Sequence, residues 1–358
     1  MDTPKSPEDA WSELPVYDAS KRSMAAIVGG RLRRISRTGL YVALASVLSI
    51  VAVYLLSQLD YHGPPTFARL DDKVQSHETP DCSPRYNISS MDIWNKAAVR
   101  YNHLMDDKFT IAIQTYRRPD QLKATLDLLL APEIPSLHEI VIIWNDLETP
   151  TPADFTSDHN VTVRHRMSTA NSLNQKLLPD AGFQTQAVLL SDDDVHYDAA
   201  DLDFVFQQWR AHGRNRLTGA FARCVDQNAD SGQWQYGWCK GHESYSMVLT
   251  GLSFVHMAFL DYYSSEDPLM TRVRAYVDEH FNCEDIAMNF VTSMLTCEGP
   301  LQVTGLHKPT NEAPKAGIST KKGHLEARHA CINSYVDMFG HMPLVETSEY
   351  ISRGYVSG

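Results

Sequence analysis

The spacing of apolar positions divides the chain into three stretches. Gly39 to Leu59 reads GLYVALASVLSIVAVYLLSQL, 21 residues without a charge. At about 1.5 Å per helical residue this run spans a hydrocarbon core of roughly 30 Å, whereas buried helices of soluble proteins are usually shorter and rarely lack every charged side chain. A single transmembrane helix is predicted over 39–59. Residues 60–107 are rich in Pro, Asp, His and Ser with little apolar periodicity, the composition of a stem, and only Met91 to Met105 there has a helical pattern. From 108 to 358 short apolar runs alternate with amphipathic segments, which predicts an α/β domain.

Within that domain FTIAIQTY (109–116) reads as a strand that runs into Arg118-Pro119 and then a helix, with Leu122, Leu126, Leu129 and Leu130 at helical spacing. EIVIIWND (139–146), VTVRHR (161–166), a helical ANSLNQKLL and the apolar AVLLSDDDV (187–195) follow. Leu202, Val205, Phe206 and Trp209 share a face of a further helix. YSMVLTGLSFV (245–255) is a strand candidate and EDIAMNFVTSML (284–295) a helix candidate. Alternating strands and helices predict a parallel sheet with crossover helices, whose ligands bind beyond the carboxyl ends of the strands. Thr115, Asn145 and the triplet Asp192-Asp193-Asp194 fall there.

Charge gives the predicted membrane helix a direction. Lys21, Arg22, Arg31, Arg33, Arg34 and Arg37 precede it with no acidic residue among them, and Asp60, Asp71 and Asp72 follow, so residues 1–38 are expected in the cytosol and the rest in the lumen of the endoplasmic reticulum or Golgi, as a type II protein with an uncleaved signal-anchor. Residues 1–38 hold seven Lys/Arg and five Asp/Glu; the whole chain has 32 and 44, which leaves 25 and 39 beyond them, a net of −14. Such an acidic head argues against nucleic acid as a partner. All six cysteines lie after the apolar run, where disulfides form, and none shows the close pairing of a zinc site. The sequons at Asn87 and Asn160 fall on the same side as the cysteines.

The acidic triplet is the main chemical signal. Asp-Asp-Asp is often a solvated turn or a helix cap, but here it sits between a buried strand and an amphipathic helix. Three carboxylates at a strand end repel one another, and a hard divalent cation, Mn²⁺ or Mg²⁺, holds them ionised and bridges to a diphosphate. The chain has no Gly-rich phosphate loop, so metal and basic side chains must neutralise that diphosphate, with Arg118 and Lys176 as candidates.

FTIAIQTYRRPDQL, VIIWND, TANSLNQK, AVLLSDDDV, YSMVLTGLSF, NCEDIAMNF and ARHACIN, in that order, resemble the exostosin-like glycosyltransferases of family 64. The resemblance covers about residues 108–355 and implies a GT-A fold, a Rossmann-like nucleotide-sugar-binding mixed sheet, with Mn²⁺ as cofactor, a UDP-sugar as donor and retention of configuration. It implies that Thr115, Arg118, Asn145, Asn171, Asn174 and Lys176 line the donor pocket. Asp192, Asp193 and Asp194 would hold ribose and metal, with Asp194 the direct ligand. Asn282, Glu284 and Asp285 would lie near the reacting sugar, Arg328 would face the diphosphate, and Cys283 would pair with Cys331. Lys176 stands where the family usually has arginine, so the charge is kept and the bidentate fork is lost.

On spacing alone Asp285 reads as a carboxylate that complements a helix amino terminus, and Arg328 as a surface arginine. The resemblance gives both to catalysis, and His307 stays outside the site. Trp234-Gln-Tyr236-Gly-Trp238 reads equally as a platform for an acceptor sugar or as a hairpin packed on the core. The expected activity is transfer of a sugar, foremost an N-acetylhexosamine, to a glycan or glycolipid acceptor. GDP-mannose as donor with a sphingolipid-type acceptor is the alternative, followed by a catalytically silent sugar-binding relative.

Overall fold

The computed structural model describes residues 91–239, 244–312 and 321–354. The expected cytosolic tail, the apolar run 39–59, most of the stem and Asn87 lie outside the described residues. No helix among the described residues is long and apolar enough to cross a membrane.

In chain order the elements are α1 (Met91–Arg100), β1 (Met105–Thr115), α2 (Pro119–Leu130), β2 (Leu137–Trp144), β3 (Thr162–Met167), a 3₁₀ helix (Leu173–Leu177), β4 (Thr185–Asp192), β5 (Val195–His196) and α3 (Ala199–Gln208). There follow a π turn (Trp209–Gly213), β6 (Thr218–Gly219), β7 (Ala222–Gln227), β8 (Trp234–Gly237), β9 (Met247–Val248), β10 (Leu252–His256), α4 (Met257–Tyr263) and α5 (Pro268–His280). The last are α6 (Glu284–Thr296), β11 (Leu301–Thr304), β12 (Thr310–Asn311), α7 (His324–Phe339) and β13 (Tyr350–Ser352).

Eight strands form the main sheet in the order β13-β11-β6-β10-β4-β1-β2-β3. Neighbours are parallel except at β10, which runs against both β4 and β6. This is a mixed α/β architecture with a parallel-rich central sheet. Its central strands are apolar on both faces, as a sheet covered on both sides requires. Ile111, Ile140 and Leu189 face the layer of Leu122, Leu126, Leu202 and Phe206, whereas Ala112, Val141 and Leu190 face the layer of Phe259, Ile286 and Phe290. Helix α2 starts with Pro119, whose missing N–H costs nothing in a first turn, and buries Leu122, Thr125, Leu126 and Leu129.

Three elements differ from the sequence reading. ANSLNQKLL makes only the five-residue 3₁₀ helix, started by Ser172, whose side chain accepts from the Asn174 amide, and cut short before Pro179. The run 245–255 is two strands in two sheets, because the chain turns at Thr250-Gly251 beside Asp192. A Cβ on Gly251 would lie 2.7 Å from Asp192 Oδ2, so a larger residue there would have to displace the Asp192 carboxylate. Helix α1 lies in the expected stem, yet its Trp94 stacks on Phe259 at 4.5 Å and its Arg100 pairs with Asp261 at 2.8 Å, so it packs on α4.

His256 caps α4 by accepting from the Ala258 amide at 3.1 Å, and it is wholly buried. Burial, helped by the charge of Arg214, pushes its imidazole down to about 3. The unfolded chain therefore takes up a proton first. The stability that neutral His256 contributes is complete above pH ~6.5 and is lost as the pH falls toward the folded value, by at most about 1.4 kcal/mol per unit. Thermal unfolding at pH 5 should fall below that at pH 7, and His256→Asn, which keeps a cap, should show a smaller difference. Equal differences in the two proteins would exclude His256 as the cause.

Candidate active site

Strands β1 and β4 are neighbours, so Thr115 and the acidic triplet reach the same edge. Thr115 donates its hydroxyl to Asp193 Oδ2 at 2.6 Å, and Thr125 of α2 donates to the Asp193 carbonyl at 2.6 Å. Arg117 has φ 55°, the left-handed region, and this kink sends two consecutive arginines apart. Arg117 turns to Asp146, 3.1 Å away, and Glu148, whereas Arg118 pairs with Asp193 and, at 2.6 Å, with Asp194. A cleft of about 550 Å³ opens beside Arg117 at the ends of β1 and β2, lined by Trp144, Asp146, Thr149 and Pro150.

Asn145 is buried at the end of β2, donating to the Ser172 carbonyl at 2.9 Å and accepting from Ser168 Oγ at 2.5 Å. Asn171 is exposed in the turn that follows Ser168. Asn174 is held within the fold: its amide donates to Asp278 at 2.8 Å and its oxygen accepts from Tyr263 at 2.6 Å. The sequence offers no signal for Asp278 or Tyr263, which sit in ordinary helical patterns.

Lys176, on the 3₁₀ helix, links the two acidic groups of the site. Its ammonium is 2.6 Å from Asp192 Oδ1 and 3.6 Å from Glu284 Oε1, and the side chain is 2% exposed. Burial alone would lower its pKa, but Asp192 and Glu284 outweigh this and raise it, so Lys176 is a permanent cation. Burial pushes Glu284 up to about 7 despite Lys176, and pushes Asp193 up to about 7 despite Thr115 and Arg118.

Glu284 and Asp285 open α6. The turn before them places Phe281 and Cys283 at φ 48° and 71°, left-handed conformations that cost non-glycine residues about 1–2 kcal/mol each. Cys283 is bonded to Cys331 of α7, the pairing that the resemblance implies. One turn before Cys331 on the same helix, Arg328 forms a buried ion pair with Asp285 and lies 3.4 Å from Asn282 Oδ1. Burial would raise Asp285, but the charge and hydrogen bond of Arg328 hold its carboxyl below the ordinary carboxylate range. Both Asp285 oxygens are engaged, since Oδ1 accepts from the Ile286 amide at 2.7 Å.

The aromatic segment divides residue by residue. Trp234 and Tyr236 pack inward on the hairpin of β7 and β8, with the Arg328 guanidinium 4.3 Å from the Tyr236 ring, whereas Trp238 is exposed. Asn333 clamps β8 to α7, accepting from the Trp234 amide at 3.0 Å and donating to its carbonyl at 2.8 Å, and His329 accepts from the Tyr236 amide at 2.9 Å. Cys224 and Cys239 close the hairpin.

Asp198, Asp201 and His307 also gather. Asp201 accepts from the amides of Leu306 and His307 and pairs with Arg353 at 2.9 Å, so its charge is already met by donors and this is a clasp between loops. The His307 ring nitrogen lies 3.0 Å from Asp201 Oδ2 within this cluster. Asn160 is exposed with φ 57°, a conformation Asn tolerates.

The profile described as Glycosyl transferase family 64 domain matches residues 109–354. Exostosin-like 2 of Mus musculus is 31% identical over 263 residues, 69% of this chain and 77% of that protein. The Exostosin-like-3 homolog of Caenorhabditis elegans is 32% identical, and Glucosamine inositolphosphorylceramide transferase 1 of Arabidopsis thaliana 34%; each match covers 66% of this chain but only 28% and 30% of those longer proteins. The structure of S. aureus TarS 1-349 in complex with UDP-GlcNAc matches 48% of this chain and 54% of that one at 16% identity, with a TM-score of 0.29. The chain belongs to glycosyltransferase family 64 and is a glycosyltransferase of the exostosin-like type.

Proposed function

We propose that the chain is a retaining, metal-dependent transferase that moves an N-acetylhexosamine from its UDP derivative to a lumenal glycan or glycolipid. The observation that carries this reading is the charge of the site. Asp192, Asp193, Asp194, Glu284 and Asp285 stand against Arg118, Lys176 and Arg328 in linked ion pairs. With all five carboxylates ionised, which for Asp193 and Glu284 requires a pH above about 7, five against three cations leave two negative charges, the amount that one divalent ion neutralises, and carboxylate oxygens suit Mn²⁺ or Mg²⁺. Asp193 Oδ1 shows the same deficit: it faces Arg118 but accepts no well-aligned hydrogen bond although it is buried. The residues present therefore fit a metal.

Asp194 would be the direct ligand, with Asp192 and Asp193 beside it toward the ribose. The ion would supply positive charge to the leaving diphosphate. Thr115 and Arg118 orient the triplet, and Lys176 places a positive charge between Asp192 and Glu284 in a dry setting. Asp285, held ionised by Arg328, stabilises the positive charge that develops at the anomeric carbon. The engagement of both its oxygens favours that role over nucleophilic attack. Arg328 would face the donor diphosphate. An amino-sugar donor and a glycolipid acceptor agree with the name of the Arabidopsis relative. The apolar run 39–59 would anchor the chain as a single-pass type II protein of the endoplasmic reticulum or Golgi.

Calorimetric titration of UDP with Mn²⁺ present and then chelated should show at least a tenfold loss of affinity, about 1.4 kcal/mol. Asp194→Asn should behave in Mn²⁺ as the wild type does without it. Equal affinity in the two conditions overturns the metal role, and hydrolysis of GDP-mannose in preference to UDP-N-acetylhexosamines overturns the donor.

A further inference from the structure

We propose that the exposed indole of Trp238 is a stacking platform for a pyranose ring of the acceptor, a subsite beside the Asp285–Arg328 pair. The inference rests on the transferase reading above and extends it from donor to acceptor. Trp238 is 63% exposed, more than any other large apolar side chain among the described residues. An indole left in water forgoes much favourable burial, and here the fold prevents its retreat. The Cys224–Cys239 disulfide closes the hairpin at the adjoining residue, and Asn333 and His329 fasten β8 to α7.

Position gives the indole its use. Tyr236 is buried in β8, and Trp238 follows the last residue of that strand. Their rings meet edge to face, with centroids 6.4 Å apart and planes at 75°. On its own other contact, the Tyr236 ring carries the Arg328 guanidinium at 4.3 Å. The indole is therefore no more than about 11 Å from the guanidinium that holds Asp285, within the span of a disaccharide. The donor-side groups Thr115, Arg118 and the triplet sit on β1, β4 and their loops, whereas β8 packs on α7. Arg328 and Asp285 lie at the reacting bond in the reading above, so a ring stacked on Trp238 belongs to the acceptor that approaches that bond. A pyranose presents an apolar face of C–H groups to an aromatic ring while its hydroxyls stay in water, and Trp offers the largest such face.

The test compares the full-length enzyme with Trp238→Ala and Trp238→Phe, using methyl and octyl glycosides of hexoses and hexuronic acids as acceptors. Acceptor KM should rise at least tenfold in Trp238→Ala for both aglycones and return to within threefold of wild type in Trp238→Phe. Donor hydrolysis without acceptor should stay unchanged. Saturation-transfer NMR of the same glycosides should lose its ring-proton signals in Trp238→Ala. Unchanged acceptor KM and ring signals overturn the proposal. A loss confined to octyl glycosides also overturns it, since Trp238 would then hold an alkyl chain. A wild type that hydrolyses no nucleotide sugar yet gives Trp238-dependent ring signals sinks the transferase reading and leaves the subsite standing.

Discussion

Asp285→Asn is expected to lower kcat by two to three orders of magnitude with donor KM altered less than tenfold. The substitution keeps the shape of the side chain and removes only its charge, and loss of one preorganised electrostatic partner of a transition state typically costs about that much. The structure supplies the preorganisation. The carboxylate is buried at the head of α6, Arg328 keeps it ionised, and the Cys283–Cys331 bond ties α6 to the helix that carries Arg328. Removing the charge also leaves Arg328 buried without its partner, a change of the kind that costs about 3–5 kcal/mol in stability. The two effects are separated by assaying well below the melting point and normalising to folded protein. Normal turnover per folded molecule would show that the pair only holds the fold together.

Lys176→Met should also destabilise the fold strongly. The ammonium stands between Asp192 and Glu284, and its removal leaves two carboxylates crowded with no counter-charge, for about 3 kcal/mol or roughly 8 °C of melting temperature. The cost should depend on pH in a definite direction. Burial raises the folded-state pKa of Glu284 to about 7, so below that pH Glu284 is protonated and needs its partner less. The deficit against wild type should therefore be larger at pH 7.5 than at pH 5.5. Lys176→Arg, which restores the charge, should recover most of the loss. A deficit equal at both pH values would mean that packing of the lysine stem, not its charge, is what the site needs.

Much of this site was legible in one-dimensional pattern because its residues follow apolar strands. Thr115 and Asp192 lie where buried runs end, and parallel strands with crossovers bring such ends together. The periodicity of EDIAMNFVTSML likewise located α6 to within a residue of each end. Other features were not legible because distant segments determine them. The continuous apolar run 245–255 hides a turn, where the Gly251 carbonyl accepts at 2.9 Å from the amide of Asp192, a residue some sixty positions earlier. The divergence of Arg117 and Arg118 depends on one left-handed residue that no propensity marks. The pairing of Arg328 with Asp285 was not legible, since nothing in a polar stretch distinguishes that arginine from one at the surface and the resemblance implies only that it faces the diphosphate. The 3₁₀ helix at Leu173–Leu177 was mistaken for a longer helix because Leu173 and Leu177 have helical spacing, whereas Ser172 and Pro179 bound it too tightly for more than a turn.

The strand order of the main sheet has a consequence for how the molecule is made. Strands β1 to β4 come from one continuous stretch, and the donor-side residues Thr115 and Asp192 are complete once it has been synthesised. Strand β10 then joins beside β4, and the far edge waits for β11 and finally β13, contributed by residues 301–304 and 350–352. Tyr245 couples these stages: its backbone pairs with Thr347 and its hydroxyl donates to the Glu349 carbonyl at 2.5 Å. Arg328 belongs to the late group, so a growing chain acquires the strand ends that carry Thr115 and Asp192 well before it acquires Arg328. Until β13 arrives, the open side of β11 is an unprotected sheet edge of the kind that pairs with other chains. A ribosome-stalled fragment ending before residue 345 should accordingly associate with itself, whereas release of the following residues ends that exposure within the same molecule.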